Sequence, residues 1–173
     1  MKRARIGIIA VAMFAVAAVA FAQKPDFSGT WTLDDAASGM AAPPAGGGAP
    51  GGAPGGGGGR GGRGGGALGN GPATVKQTAD TLTIERTMGE NKVVTTYKLD
   101  GSESTNTMQT QNGAMESKST AKWDGSTLTI TTKQDMGNGP MESTQKWTLT
   151  GGTLTVENTS ARGTTKRVYK KTT

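Results

Sequence analysis

The chain is 173 residues long, with 19 Lys and Arg against 13 Asp and Glu, 33% hydrophobic residues, and neither Cys nor His. That length suits one domain. The missing residue types exclude disulfides, cysteine nucleophiles, His-based triads, His-ligated haem and Cys/His zinc sites, so no catalytic site, metal or cofactor is expected.

Residues 1–22 have the form of a secretory signal peptide. Lys2, Arg3 and Arg5 make a basic start, Ile6 to Phe21 is an apolar run, and Ala20-Phe21-Ala22 is a small-x-small cleavage site. The run falls short of the ~20 residues that a spanning helix needs. Cleavage after Ala22 and a secreted or periplasmic location are the expectation, with no membrane span left afterwards. Three of the 19 basic residues go with this segment, which leaves 16 against 13 acids. The high pI of the whole chain is then weak evidence for an anionic macromolecule.

Residues 23–35 hold a first strand. In Asp26-Phe27-Ser28-Gly29-Thr30-Trp31-Thr32-Leu33, the residues Phe27, Gly29, Trp31 and Leu33 share one face. Residues 36–71 are different in kind, with 18 of the chain's 29 Gly and only Met40 and Leu68 as large apolar residues. Such a segment cannot offset its ordering entropy by burial, so a disordered Gly/Pro-rich loop is expected. Its Arg60-Gly61-Gly62-Arg63 run resembles a single-stranded nucleic-acid tract, but it has no aromatic residue. A flexible linker or lid is the expected reading, and no nucleic-acid partner.

Residues 72–173 are expected to form the remainder of an all-β domain. Thr is abundant from residue 74 onward, which suits pleated, half-exposed surface. Turn signals recur at Ala79-Asp80, Met88 to Asn91, Asp100-Gly101, Asn112-Gly113, Asp124-Gly125, Met136 to Pro140, Gly151-Gly152 and Arg162-Gly163. With the first strand this predicts about ten antiparallel strands in an up-and-down meander. Thr-Leu-Thr recurs at 81, 127 and 153, and an aromatic closes a returning strand at Tyr97, Trp123, Trp147 and Tyr169, so the hairpin is the repeated unit.

Two-residue turns at these positions set a register. Ala121 then opposes Leu128, Tyr97 opposes Ser104, Met108 opposes Ser117, Leu149 opposes Leu154, Asn158 opposes Arg167 and Val75 opposes Ile84. All inward residues fall on one face, and the other face is Thr, Lys and Glu except at Val94 and Val168. A polar outer face argues against a lipid-exposed barrel. A meander with one buried face should close into a soluble barrel, removing its edges. Trp31, Trp123, Trp147 and Tyr169 are expected to plug its base. Arg86, Tyr97, Asn106, Met108, Met115, Ser117, Ser119, Met141, Gln145, Asn158 and Arg167 are expected to line its lumen and mouth.

Gly29-Thr30-Trp31, a long loop and a meander to the C-terminus resemble the lipocalin and fatty-acid-binding (calycin-type) barrels. The chain also looks like small secreted bacterial proteins that begin with a Phe-Ser-Gly-Thr-Trp-type strand. The resemblance implies that a basic residue of the last strand, Lys171 or Arg167, packs on Trp31. It further implies that inward Arg and Tyr hold a ligand carboxylate, a role open to Arg86, Arg167 and Tyr97. The alternative is that both arginines sit at a rim in water. The functional expectation is a monomeric barrel binding a small amphiphilic ligand. A non-enzymatic structural or interaction protein of the cell envelope is the alternative. An ice- or polysaccharide-binding face on the Thr rows is a narrower reading. No inward pair of carboxylates offers acid–base chemistry, so an enzyme is not expected.

Overall fold

A computed structural model describes residues 24–39, 66–110, 113–135 and 139–172. The signal-peptide reading of residues 1–22 and the Arg60–Arg63 tract lie outside these residues. The strands are β1 (Gly29–Leu33), β2 (Ala73–Gln77), β3 (Thr81–Met88), β4 (Asn91–Lys98), β5 (Glu103–Thr110), β6 (Gly113–Asp124), β7 (Thr127–Asp135), β8 (Pro140–Thr150), β9 (Thr153–Ser160) and β10 (Gly163–Thr172). They form one antiparallel sheet in the order β4-β3-β2-β1-β10-β9-β8-β7-β6-β5. The first strand therefore pairs with the last, and the meander wraps into a nearly closed barrel, as alternating burial along the strands predicts.

The wall has one break, between β4 and β5. Both ends of the sheet meet there without a backbone ladder. Two inward side chains bridge the break instead. Ser104 Oγ accepts from Lys98 N at 2.8 Å, and Asn106 exchanges two bonds with the Thr96 backbone, accepting at 2.8 Å and donating at 3.0 Å. The expected opposition of Tyr97 and Ser104 is thus replaced by side-chain contact to the neighbouring backbone. The turn below is drawn in by Asp100, whose carboxylate accepts from Ser102 N and Oγ.

The faces agree with the sequence pattern, while several registers shift by two residues. Leu149 opposes Leu154 and Val75 opposes Ile84 as expected. Ala121, however, opposes Ile130, Met108 opposes Met115, and Arg167 opposes Val156. In the β6–β7 hairpin the loop is Gly125-Ser126 rather than Asp124-Gly125, with Gly125 at φ +58°. A two-residue loop starting at Asp124 would put that residue at positive φ, and no described non-Gly residue adopts it. A shift of two keeps every side chain on its face, which is why the inside-outside assignment survives.

The base is closed from outside the strand system. The strand begins at Gly29, not Asp26, because residues 24–28 bend across the barrel base. Gln77 holds them: its Oε1 accepts from Phe27 N and its Nε2 donates to the Pro25 carbonyl. Phe27 is fully buried, stacks on Trp123 with 5.7 Å between centroids, and meets Trp147 edge-on at 5.6 Å. Trp31 Nε1 donates to the Phe27 carbonyl. Of the two candidate partners for Trp31, Lys171 takes the place: it is paired across from Trp31, with Nζ 5.9 Å from the ring centroid. Gly29 makes that crossing possible. It sits at φ +140°, and a Cβ there would collide with Lys171 Cε.

Outside, Thr hydroxyls pair across strands at Thr83–Thr96, Thr131–Thr144 and Thr159–Thr164. These six hydroxyls satisfy one another in pairs across neighbouring strands. Val168, an apolar exception on the outer face, is 8% exposed because the turn at 34–39 covers it. Ser38 Oγ accepts from Val168 N, Asp34 N donates to the Val168 carbonyl, and Lys170 pairs with Asp34 at 2.6 Å.

Candidate functional site

The open half of the barrel gathers polar side chains from five strands. Strand β3 supplies Arg86, β4 Tyr97, β8 Gln145, β9 Asn158, and β10 Arg167 and Tyr169. Alternation on each strand points these side chains inward. Arg167 is 8% exposed, Tyr97 4% and Gln145 6%. Arg86 and Asn158 are half-buried. The rim alternative for Arg167 is therefore excluded.

The charge arrangement is unusual for an interior. Every ion pair among the described residues uses a Lys and lies on the outer face: Lys76 and Lys92 on Glu85, Lys118 on Glu103, Lys133 on Glu142, Lys170 on Asp34. Neither Arg86 nor Arg167 has an acidic partner among them. Buried charges are ordinarily paired. Burial pulls the Arg86 guanidinium down from its ordinary value, an effect that Tyr97 and Tyr169 oppose. A guanidinium nonetheless keeps its proton in this range. Burial pushes Tyr97 up to about 12, with Arg86 acting against it. Burial also raises Tyr169, against the hydrogen bond and charge of Arg167.

Two polar atoms in this region are buried with no partner, Arg86 Nε and Asn158 Oδ1. Gln145 is better satisfied: its Oε1 accepts from Trp147 Nε1 at 3.2 Å and from Ala67 N at 3.3 Å.

That last bond reveals an occupant. Residues 66–71, expected within the disordered loop, are ordered, and residues 66–69 enter the barrel. Leu68 is 1% exposed and belongs to the same core cluster as Tyr97, Trp147 and Tyr169. The Gly69 carbonyl accepts from Tyr169 Oη at 2.9 Å and from Arg167 Nη1 at 3.5 Å. Burial of Leu68 and the hydrogen bonds to Gln145, Tyr169 and Arg167 act together against the ordering cost of this short stretch, and the glycine-rich composition of residues 36–71 as a whole obscures them.

Other expected lumen residues are spent on the wall. Asn106 bridges to β4, Ser117 Oγ donates to the Asn106 carbonyl, and Ser119 pairs with Thr132 at 2.9 Å. Met108 and Met115 face each other across β5 and β6, and Met141 lies across from Gln134; all three are half-buried. They are not among the partly buried hydrophobics packed against the core cluster. Trp31 and Trp147 are buried at the base and Trp123 is half-buried beside them. Tyr169 is in the core cluster with Trp31 and Trp147, and its hydroxyl reaches the Gly69 carbonyl, so it also serves the polar cluster. Sequence reasoning also missed Leu68, although a lone large apolar residue between glycines was a visible signal.

Two depressions have volumes of about 240 and 250 Å³, one lined by residues that include Glu103, Lys118, Lys133 and Glu142, the other by Pro72, Thr74, Glu85, Arg86, Thr87 and Lys92. Among the described residues no three His, Cys, Asp or Glu side chains gather as a metal site, and no helix is long and apolar enough to cross a membrane.

No protein-family model and no curated protein matches the chain. Among solved structures it is similar to a mutant of the fluorescent protein UnaG, at 21% identity over 59% of this chain and 71% of that one, with a TM-score of 0.46. It is similar to the REP1-NXSQ fatty acid transporter, at 19% over 59% and 70%, with a TM-score of 0.45. It is similar to secretory abundant heat soluble protein 4 from Ramazzottius varieornatus, at 29% over 62% and 75%, with a TM-score of 0.47. The strand order, the base built on Trp31 and the Lys171 contact make the fold a calycin-type β-barrel, of the kind found in lipocalins and fatty-acid-binding proteins.

Proposed function

We propose that the exported, mature chain binds a small amphiphile with an anionic head group in the open half of the barrel. The observation that carries this reading is the pair of inward arginines, Arg86 and Arg167, with no acidic partner among the described residues. A carboxylate entering there would supply the missing counter-charge and bidentate hydrogen bonding. Tyr169, a neutral donor at ordinary pH, stands beside Arg167. The apolar part of the ligand would rest on the core cluster below. The role is binding rather than catalysis, because the site offers no positioned acid–base pair. Removal of residues 1–22 leaves the base-closing segment 24–28 in place, so export and an intact barrel are compatible.

The test is extraction and displacement. Native protein denatured into organic solvent should release an anionic amphiphile detectable by mass spectrometry. A dansyl-labelled fatty acid should bind and be displaced by unlabelled fatty acid. Arg167→Gln should weaken probe binding by about tenfold to a hundredfold, the worth of a charged hydrogen bond of ~1.5–3 kcal/mol. Thermal stability should change little. A wild-type protein that releases nothing and binds no probe would leave the structural envelope role as the better reading.

A further inference from the structure

We propose that the chain carries its own occupant of this site: residues Gly66 to Gly69 fill it when no ligand is present, and a carboxylate-bearing ligand with a bulky apolar group near its head competes with them. The inference rests on the binding reading above and adds who holds the site beforehand and what must leave.

The segment reproduces the two halves of such a ligand. Its polar half is the Gly69 carbonyl, held by Tyr169 Oη and Arg167 Nη1. Its apolar half is Leu68, sealed in the core cluster. A third bond, Ala67 N to Gln145 Oε1, crosses to β8, so the short stretch spans the lumen from β8 to β10. The stretch turns on itself through Gly69 N to the Gly66 carbonyl at 2.8 Å.

The two glycines are what let it fit. A Cβ at Gly66 would stand 3.3 Å from Gln145 Oε1. At Gly69, where φ is +70°, a Cβ would stand 2.8 Å from Arg86 Nη1. Gly69 sets the sharper limit, because a positive φ strains any L side chain there, whereas the neighbour at Gly66 is the end of the Gln145 side chain.

The occupant also leaves the site under-satisfied. A peptide carbonyl carries no charge, so it cannot neutralise two guanidiniums. The Arg86 Nε donor stays unpartnered beside it. A carboxylate would meet the arginines with charge and a second oxygen, and so has the means to displace the segment. Displacement would bring Leu68 into water and free the connection that leads into β2. Ligand binding and release of this segment are then one equilibrium, and the measured affinity is lowered by the fraction of molecules in which the segment is docked.

The experiment is hydrogen exchange over residues 66–71 with and without a saturating dansyl-labelled fatty acid, together with probe titrations of wild type, Leu68→Asn and Gly69→Ala. Leu68→Asn removes the apolar half, and Gly69→Ala obstructs docking beside Arg86 without touching Leu68, so one reports if the other folds poorly. The expected result is slow exchange at 66–71 without probe, faster exchange with it, and probe binding at least fivefold tighter in either variant. Binding seen only in the variants supports the inference equally. Probe binding with exchange at 66–71 unchanged, and affinities equal across the three proteins, overturns the inference while the binding reading stands. No binding by any of the three overturns both.

Discussion

At the scale of single residues, the two tyrosines report the interior most directly, because the chain has only two. Tyr97 is 4% exposed and its hydroxyl is pushed up to about 12 by burial; Tyr169 is raised by burial as well. A folded value above the unfolded one means that folding favours the neutral phenol. That contribution is fully present below the unfolded value near 10 and is lost as pH rises toward 12. For Tyr97 it is on the order of 2–3 kcal/mol at 1.36 kcal/mol per pH unit. The barrel should therefore weaken in alkali, beginning near pH ~10. A spectrophotometric titration should show no native tyrosinate at the pH where free tyrosine ionises, and tyrosinate appearing together with loss of strand circular dichroism. Ionisation of either tyrosine at its ordinary value in a fully folded protein would contradict the burial described. Gly29 shows the same dependence on near neighbours. Its φ of +140° strains any L side chain, and a Cβ there would also meet the side chain of Lys171, 142 positions away.

Among the elements, β4 and β5 are the pair whose behaviour the pattern of alternation does not foretell. Their inward residues lie on the expected face, but two short polar side chains replace the ladder. Asn106→Ala would leave the Thr96 N–H and carbonyl without partners, at a cost of about 1–3 kcal/mol for buried polar groups. The expected readout is a lower urea midpoint and faster amide exchange at Thr96, with strands β6 to β9 unaffected. An unchanged midpoint would mean that the break does not depend on this bridge. Ser117 adds to it from β6, donating to the Asn106 carbonyl. Polar residues that looked like lumen lining in the sequence are thus part of the wall. A Ser or Asn on an inward face is equally compatible with a wet cavity and with a strand gap, and alternation alone does not distinguish them.

For the whole molecule, closure at the base depends on a segment that belongs to no strand. Phe27 fills the space between Trp123 and Trp147, and its carbonyl takes the Trp31 indole N–H. Phe27→Ala should cost about 3–5 kcal/mol, the usual range for a buried phenylalanine. Denaturant unfolding followed by tryptophan fluorescence should show both the lost stability and a red-shifted native spectrum as water reaches the indoles. A native spectrum and midpoint like those of wild type would show that the strands close the base without it. The opposite end is filled by Leu68, so the interior is held by two insertions, one from each side of β1. That arrangement compensates for a chain with no disulfide and few aromatic residues.

The sequence by itself determined the strands, their faces and the barrel, because a period of two in side-chain polarity survives any register shift of two residues. It determined the absence of cysteine and histidine chemistry from composition alone, and it marked Arg86, Tyr97, Gln145, Asn158 and Arg167 as inward. Only the tertiary structure decided which hairpin loops shift, that Lys171 rather than Arg167 lies on Trp31, and that Tyr169 serves the polar cluster. It alone brought Phe27 and Leu68 inside. These outcomes depend on contacts between residues far apart in the chain, such as Gly69 with Tyr169 at a separation of 100 positions. Local pattern carries no information about such contacts. Leu68 stands out in its glycine-rich stretch, but the sequence does not say which contacts it would make, and those contacts decide whether it enters the core.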